Sequence, residues 1–319
     1  MPIEIQRSFS SFFVCIGIAK IRFCIFAVNP KRTFVMERPM KEKVILITGA
    51  SSGIGYDAAL RLARQGHRVY GAARRLDRME SLKPFGVVPV EMDVTDEASM
   101  ASGVRGILDA EGRIDVLVNN AGYGYLGAIE NVALEEARRQ LEVNLFGMAR
   151  LTQLVLPSMR DRRSGRIINV SSIAGKAVLL FGGWYNVSKY AVEAFSDALR
   201  IETKPFGIQV CLVEPGGIKT DWGFIAADHL EATARGTAYE EPGLKMAEAL
   251  RWTYTSNLLS PPQSIGKAIV RATRANRPRI RYRAGAGANA FVALHAVMPA
   301  RWWDALVSKL GKVNLKKKQ

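Results

Sequence analysis

A continuous apolar run, Val44-Ile45-Leu46-Ile47, leads directly into Thr48-Gly49-Ala50-Ser51-Ser52-Gly53-Ile54-Gly55, and a helical pattern through Ala58, Leu62 and Ala63 follows at once. A short run without polar alternation reads as a strand buried on both faces, the situation of a parallel sheet covered by helices on each side. A glycine-rich turn between such a strand and a helix lets backbone N–H groups approach a phosphate closely. The helix N-terminus adds partial positive charge. The spacing is G-x-x-x-G-x-G, so the turn predicts a pyrophosphate cradle built from Thr48, Gly49, Ser51, Ser52, Gly53, Ile54 and Gly55.

The same alternation continues downstream. Residues 68–73, 87–92, 116–118, 166–170 and 208–213 read as further strands, with helical stretches around 96–110, 134–160 and 184–203. Residues 262–273 look helical, 279–283 like a last strand, and 288–310 like two short helices split at Pro299. Strands alternating with helices predict an α/β fold: a Rossmann-type, doubly wound parallel sheet of about seven strands with helices on both faces. The boundaries expected are a leader over 1–40 outside the fold, a Rossmann domain over 41–285, and a basic, apolar helical tail over 286–319. Residues 217–262 interrupt the regularity and carry Trp222, Phe224, Tyr239, Trp252 and Tyr254. This irregular insert follows a strand end, where open α/β sheets bind ligands, and is expected to act as a substrate lid.

Composition narrows the function classes. Hydrophobic residues make up 48% and charged residues 23% of 319, as in soluble globular proteins, which excludes a mainly disordered or polytopic membrane chain. The apolar stretch 12–19 is interrupted by Lys20 and Arg22, short of the roughly 20 residues that span a bilayer. Translation from Met36 or Met40, a transit peptide or a signal peptide would each account for the leader. The net charge of +16 lies at the ends: 8 basic and 3 acidic residues in 1–43, 12 and 1 in 271–319, and 25 of each between them. A neutral body argues against nucleic-acid binding, whereas cationic, apolar ends would suit an anionic membrane surface. Cys15, Cys24 and Cys211 are too few for a disulfide framework or a four-cysteine metal site, and His67, His229 and His295 lack ligand spacing, so no metal is expected. A reducing, cytoplasmic setting fits, with peripheral membrane association through the tail as an added expectation.

An NAD site usually places Asp or Glu about 20 residues past the glycine turn, on the ribose 2′-hydroxyl. Here the second strand ends in Arg74-Arg75, with no acid before Asp77. A guanidinium binds a 2′-phosphate that a carboxylate would repel, so NADP(H) is the expected cofactor and NAD(H) the lesser one. Farther along, Tyr185-Asn186-Val187-Ser188-Lys189 opens a long helix, and residues four apart share a face. Bringing a tyrosine from pKa about 10 to about 7 requires roughly 4 kcal/mol. An ammonium about 4 Å away, at an effective dielectric near 20, supplies about that amount. Ser172 ends the fifth strand, Asn144 lies upstream in Glu142-Val143-Asn144-Leu145, Asn119-Asn120-Ala121-Gly122 follows the fourth strand, and Pro215-Gly216-Gly217-Ile218-Lys219-Thr220 follows the sixth.

Taken together and in this order, these motifs resemble the short-chain dehydrogenase/reductase superfamily in its single-domain form, over about residues 43–222 and more loosely to 285. The resemblance implies that Tyr185 is the general acid/base and that Lys189 lowers its pKa and holds the nicotinamide ribose. It implies that Ser172 orients a carbonyl and that Asn144 holds a water in a proton relay. Asp93 and Val94 would lie beside adenine, Asn120, Ala121 and Gly122 along the cofactor, and Pro215, Gly216, Ile218 and Thr220 at its nicotinamide end. The wording leans towards hydroxysteroid- and retinol-dehydrogenase-like members, hence a lipophilic alcohol, ketone or aldehyde. A homodimer or homotetramer is the family habit. Rival readings are a sugar-nucleotide epimerase or dehydratase, an NADP(H)-binding redox sensor without turnover, and a peripheral-membrane adaptor. The glycine spacing with Asn119-Asn120-Ala121-Gly122 weighs against the first, and the presence of both Tyr185 and Lys189 against the second.

Overall fold

In the computed structural model, β1 (Val44–Thr48) is buried along its whole length. Its alternate side chains serve two cores, Ile45 and Ile47 on one face of the sheet and Val44 and Leu46 on the other. The structure describes residues 42–310, together with a two-residue antiparallel pairing of Phe13–Val14 with Ile25–Phe26. The chain divides into two compact units, 1–41 and 42–319. The rest of the expected leader, with Cys15 and Cys24, and the last residues of the expected tail lie outside the described residues.

Six further strands join β1: β2 (Arg68–Ala73), β3 (Val87–Glu91), β4 (Val116–Asn119), β5 (Gly165–Val170), β6 (Ile208–Pro215) and β7 (Arg281–Ala284). All pair in parallel, in the order β3-β2-β1-β4-β5-β6-β7. This is the doubly wound sheet expected. Helix α1 (Gly53–Ala63) covers one face, and α2 (Glu97–Glu111) covers the other through Met100, Val104 and Ile107. Strand order reverses between β1 and β4, so the turn after β1 and the loop after β4 open into one crevice.

The helix expected over 134–160 is two helices, α3 (Leu134–Leu141) and α4 (Gly147–Asp161), joined by a π-helical turn over Glu142–Phe146. The wider turn adds a residue without breaking the axis, and such bulges often sit at functional sites. It buries Asn144. Helix α5 (Gly183–Thr203) follows the site loop after β5.

The insert after β6 is not irregular. It forms α6 (Trp222–Ala234) and α7 (Glu240–Thr255), which bury Ala226, Ala227, Leu230, Ala234 and Ala247. A stripe made mostly of alanines is a weak hydrophobic signal, and the scattered aromatics hid its period. Helix α8 (Gln263–Arg274) returns to the first core through Ile265, Ala268 and Ile269. Its C-terminal carbonyls are satisfied by side chains: the buried Arg166 donates to Ala272 O and Thr273 O at 2.6 Å, and Lys43 Nζ to Thr273 O at 2.6 Å. Burial and the neighbouring Arg166 push the Lys43 ammonium below its ordinary range.

After β7 come α9 (Ala288–Val297) and α10 (Ala300–Leu310), divided at Pro299 as expected. Trp303 of α10 is buried against Phe291 and His295 of α9, edge to face, and its indole N–H donates to Val178 O at 3.1 Å. Among the described residues no helix is long and apolar enough to cross a membrane, and no group of three or more His, Cys, Asp or Glu could hold a metal ion.

Candidate active site

The glycine turn and the loop after β4 are stitched together by one threonine. Thr48 Oγ1 accepts from Asn120 N and Ala121 N, both at 3.0 Å, while Asn120 Nδ2 donates to Thr48 O at 2.9 Å. Thr48 therefore sets the loop after β4 as much as it begins the turn. Gly49 and Gly53 have left-handed φ values of +68° and +55°. A Cβ at Gly55 would lie 2.3 Å from Gly49 O and 2.6 Å from Asn120 Nδ2, whereas one at Gly53 would meet only Thr220 Cγ2, at 3.5 Å. The turn is thus packed underneath at Gly55 and open at Gly53, with Thr220 beside it.

At the end of β2, Arg74 and Arg75 are exposed. Arg74 Nη1 lies 4.0 Å from Asp93 Oδ2. Burial works to raise the Asp93 carboxyl, but hydrogen bonds from Thr95 N and Thr95 Oγ1, at 2.9 and 2.8 Å, together with Arg74, hold it below the usual carboxylate range. The first acid facing Arg74 is therefore Asp93, contributed by the next strand end rather than by the Arg-bearing one. Val94 follows it, half-buried. Pro215 closes β6, Gly216 N donates to Ala284 O at 2.8 Å, and Ile218 is buried.

The four residues expected to do chemistry converge. Asn144 Oδ1 accepts from Tyr123 N at 3.0 Å, and its Nδ2 donates to Tyr123 O at 2.9 Å and to Ser188 Oγ at 3.0 Å. A Cβ at Gly122 would lie 2.9 Å from Asn144 Oδ1 and 3.6 Å from Lys189 Nζ, so only glycine lets the loop after β4 run this close. Ser172 caps a short 3-10 turn, accepting from Ala174 N at 3.1 Å, and hydrogen-bonds the Tyr185 hydroxyl. Lys189 is buried and donates to Val170 O at 3.1 Å, with its ammonium 5.9 Å from the Tyr185 ring centre.

The electrostatics differ from the expectation for Tyr185 and Lys189. Burial pushes the phenol up to about 12, and the bond with Ser172 only partly offsets it. Burial likewise brings the Lys189 ammonium down to about 8, with Glu193 working in the opposite direction. Helical spacing does put lysine and tyrosine side by side, but the ammonium is spent on a backbone carbonyl and desolvation outweighs attraction. At neutral pH the phenol holds its proton and the lysine is largely charged.

Three contributors lie beyond the expected set. Asn186 Nδ2 donates to Ala174 O and Ala177 O at 2.7 and 3.0 Å, and its Oδ1 accepts from Leu179 N at 3.2 Å, fixing the loop that connects Ser172 to Tyr185. Ser188 Oγ links Asn144 to Tyr185 O. Both residues stand inside the Tyr185–Lys189 motif, which is the signal that could have marked them. Trp222, the first residue of α6, packs on Tyr185 with ring centres 5.2 Å apart. The insert therefore supplies part of the site wall as well as a local core with Leu126 and Phe181.

The family profile described as short chain dehydrogenase matches residues 43–226. A probable short-chain type dehydrogenase/reductase, VdlC, of Helicobacter pylori is 36% identical over 82% of this chain and 95% of its own. The 3-ketodihydrosphingosine reductase of Bacteroides thetaiotaomicron is 38% identical over 77% of this chain and 89% of its own. Among solved structures, a short-chain dehydrogenase from Streptomyces avermitilis superposes with a TM-score of 0.69 at 33% identity, covering 85% of this chain and 95% of that one. An actinorhodin polyketide ketoreductase variant with NADPH superposes with a TM-score of 0.63 at 29% identity, over 76% and 95%.

Proposed function

Because this chain belongs to the short-chain dehydrogenase family, we propose that it is an NADP(H)-dependent oxidoreductase that interconverts a secondary alcohol and a ketone on a lipophilic substrate. The observation that carries this reading is the convergence of Tyr185, Ser172, Asn144 and Lys189 beside a glycine-lined crevice at the sheet's reversal point. The crevice fits a dinucleotide. Its turn is open at Gly53, and a side chain at Gly122 would fill the space between Asn144 and Lys189. Thr48 to Gly55 would hold the pyrophosphate, Arg74 and Arg75 the 2′-phosphate, Asp93 and Val94 the adenine, and Asn120 to Gly122 with Pro215 to Thr220 the nicotinamide half. A bound nicotinamide supplies or accepts the hydride.

The chain's own groups manage the proton and the carbonyl. The phenol of Tyr185 holds its proton at neutral pH and donates it to a carbonyl oxygen as that oxygen gains charge. Ser172 Oγ orients the same oxygen. Lys189 keeps a positive charge near the phenol, favouring its ionised form once the proton has left. Asn144, bonded to Tyr123 O and Ser188, holds the π-helical turn against the site. Trp222 excludes water from the Tyr185 face. Two relatives support the chemistry assigned: one is named a 3-ketodihydrosphingosine reductase, and one structure, a polyketide ketoreductase, was solved with NADPH. Tyr185 and Lys189 together favour turnover over a sensor that merely holds the cofactor.

The test is reduction of a panel of lipophilic ketones by the purified chain, followed through NADPH oxidation, alongside NADPH and NADH affinities for wild type and Arg74→Ala. Turnover is expected with NADPH. Arg74→Ala should weaken NADPH by about 2 kcal/mol, roughly thirtyfold, and NADH far less. Equal losses for both cofactors would remove Arg74 from phosphate recognition, and preference for NADH would overturn the cofactor reading.

A further inference from the structure

Arginine is concentrated a second time at the edge of the sheet formed by β7. Arg74 and Arg75 follow β2, five places from β7 in the strand order, a span of about 24 Å at ~4.8 Å per strand. Beside β7, α8 and the first turn of α9 lies a cavity of about 400 Å³ lined by Arg271, Arg279, Arg281, Tyr282, Arg283 and Asn289, with no acidic side chain in the lining. That volume is within the range of about 300–1,000 Å³ usual for small-molecule sites. The four guanidiniums are not equivalent. Arg281 is matched by carboxylates, its Nε donating to Glu193 Oε2 at 3.0 Å and its Nη2 to Asp197 Oδ2 at 2.6 Å. Arg283 is held from behind: its Nε donates to Glu214 Oε2 at 2.5 Å, and among the described residues neither Nη group has an acceptor. Arg271 is held the same way on α8, its Nε donating to Lys267 O at 3.3 Å, and it has no acidic partner. The Arg279 side chain makes no hydrogen bond or ion pair among the described residues, although its backbone N is pinned by donating to the Tyr282 hydroxyl at 3.1 Å.

We propose that this cavity is a binding site for a phosphate monoester, separate from the dinucleotide crevice. Ion pairing to the sheet accounts for Arg281 and Arg283, and charge on an edge strand also discourages pairing with another sheet. Neither role accounts for Arg271, which comes from a helix, or for the unpaired Arg279. Guanidiniums gathered round one cavity without an acid among them repel one another, and a bound anion removes that repulsion. Their Nη forks match phosphate oxygens in a way that a single ammonium does not. The Tyr282 hydroxyl and the Asn289 amide add neutral donors. A phosphate monoester carries a charge of about −1.5 to −2 at pH 7, which answers the two cations that lack an acidic partner, Arg271 and Arg279. The cavity has room beyond the phosphate for the organic part of the ester, whether a soluble molecule or the headgroup region of a phosphomonoester lipid.

The experiment uses the full chain with saturating NADPH and compares wild type with Arg271→Gln, Arg279→Gln, the double variant and Arg74→Ala. Both arginines replaced at the cavity are exposed and paired with no acid, so the fold keeps its ion pairs. One arm measures binding of glycerol 3-phosphate by isothermal titration calorimetry. The other measures sedimentation with phosphatidylcholine vesicles holding one-fifth phosphatidic acid, against vesicles holding phosphatidylglycerol at matched surface charge. Each single variant should weaken binding by about tenfold to a hundredfold, the loss of one charge-assisted contact. The double variant should abolish binding, and Arg74→Ala should bind as wild type does. Thermal stabilisation by NADPH should be the same in wild type and in both cavity variants. Binding of glycerol 3-phosphate identifies a soluble ester as a sufficient ligand; binding of phosphatidic acid vesicles alone identifies the lipid headgroup, and either result supports the site if the cavity variants lose it. No binding in either arm, binding unchanged in the double variant, or equal sedimentation with phosphatidylglycerol overturns the proposal.

Discussion

Gly55 and Gly53 sit two residues apart in the same turn, yet the structure assigns them opposite tolerances to a methyl group. At Gly55 a Cβ would lie 2.3 Å from Gly49 O and 2.6 Å from Asn120 Nδ2, and the backbone oxygen cannot swing away. Overpacking of this kind costs about 1–3 kcal/mol. Displacing Asn120 adds about 1 kcal/mol for its bond to Thr48 O. Alanine's helix preference at the start of α1 returns about 1 kcal/mol, leaving a net loss near 2 kcal/mol. At Gly53 the Cβ meets nothing closer than Thr220 Cγ2 at 3.5 Å. There the left-handed φ of +55° costs about 1–2 kcal/mol for alanine, and the lower entropy of the unfolded chain offsets about half of that. Gly55→Ala should therefore lower the melting temperature by about 4–8 °C and Gly53→Ala by no more than about 3 °C. Differential scanning fluorimetry with and without NADPH reads both effects. At one hundred times its dissociation constant the cofactor stabilises the native state by about 2.7 kcal/mol, a gain that Gly55→Ala should largely lose because the cradle is displaced with Asn120. A Gly53→Ala penalty equal to or larger than that of Gly55→Ala would refute the packing argument.

Two other outcomes are expected. Tyr185→Phe removes the proton donor but leaves the ring on Trp222, so turnover should fall by about 10²–10⁴-fold with NADPH affinity nearly unchanged; single-turnover kinetics retaining most of the rate would exclude the assigned role. Lys189 is held at about 8 in the folded chain, below its ordinary 10.5, so the unfolded state binds the extra proton between those values. Stability should then rise with pH from about 8, by up to roughly 1.4 kcal/mol per pH unit from this group. Lys189→Met should abolish that portion of the slope in urea titrations between pH 8 and 10, and an unchanged slope would assign it elsewhere.

The parts of the site that were legible in the sequence are those whose geometry is local. A strand end followed by glycines places Thr48–Gly55, and a four-residue helical repeat places Tyr185 beside Lys189; both follow from backbone geometry alone. The sign of the electrostatics was not legible. Spacing implies proximity, but which effect dominates depends on how deeply the pair is buried and on Lys189 finding Val170 O, an acceptor from another element. Trp222 was visible only as one aromatic among several in the insert, because its contact with Tyr185 exists only after α6 has folded back over the sheet. The helices of that insert were missed for a related reason. Their buried stripe is largely alanine, whose small transfer free energy leaves little periodic signal.

Strand β7 shows how an arginine-bearing edge strand is held in place. Arg281-Tyr282-Arg283-Ala284 lacks the continuous apolar run of β1 but alternates, with Tyr282 and Ala284 packed against the first core, and it extends the sheet as expected. Its neighbour β6 carries Glu214, fully buried, and α5 carries Glu193, nearly so. Burial pushes the Glu214 carboxyl upward, and Glu193 adds to that push. Uncompensated, two such groups would oppose the folded state by several kcal/mol. Arg281 answers both, reaching Glu193 Oε2 and Glu214 Oε1 at 3.0 Å, and it also pairs with Asp197 at 2.6 Å; Arg283 reaches Glu214 Oε2 at 2.5 Å. The arginines at the polar positions of this alternation thus help bind β7 to the sheet edge. Because Glu193 lies one turn beyond Lys189 on α5 and opposes the lowering of its pKa, the same ion pairs that fix the last strand also shape the charge environment around Lys189 on α5.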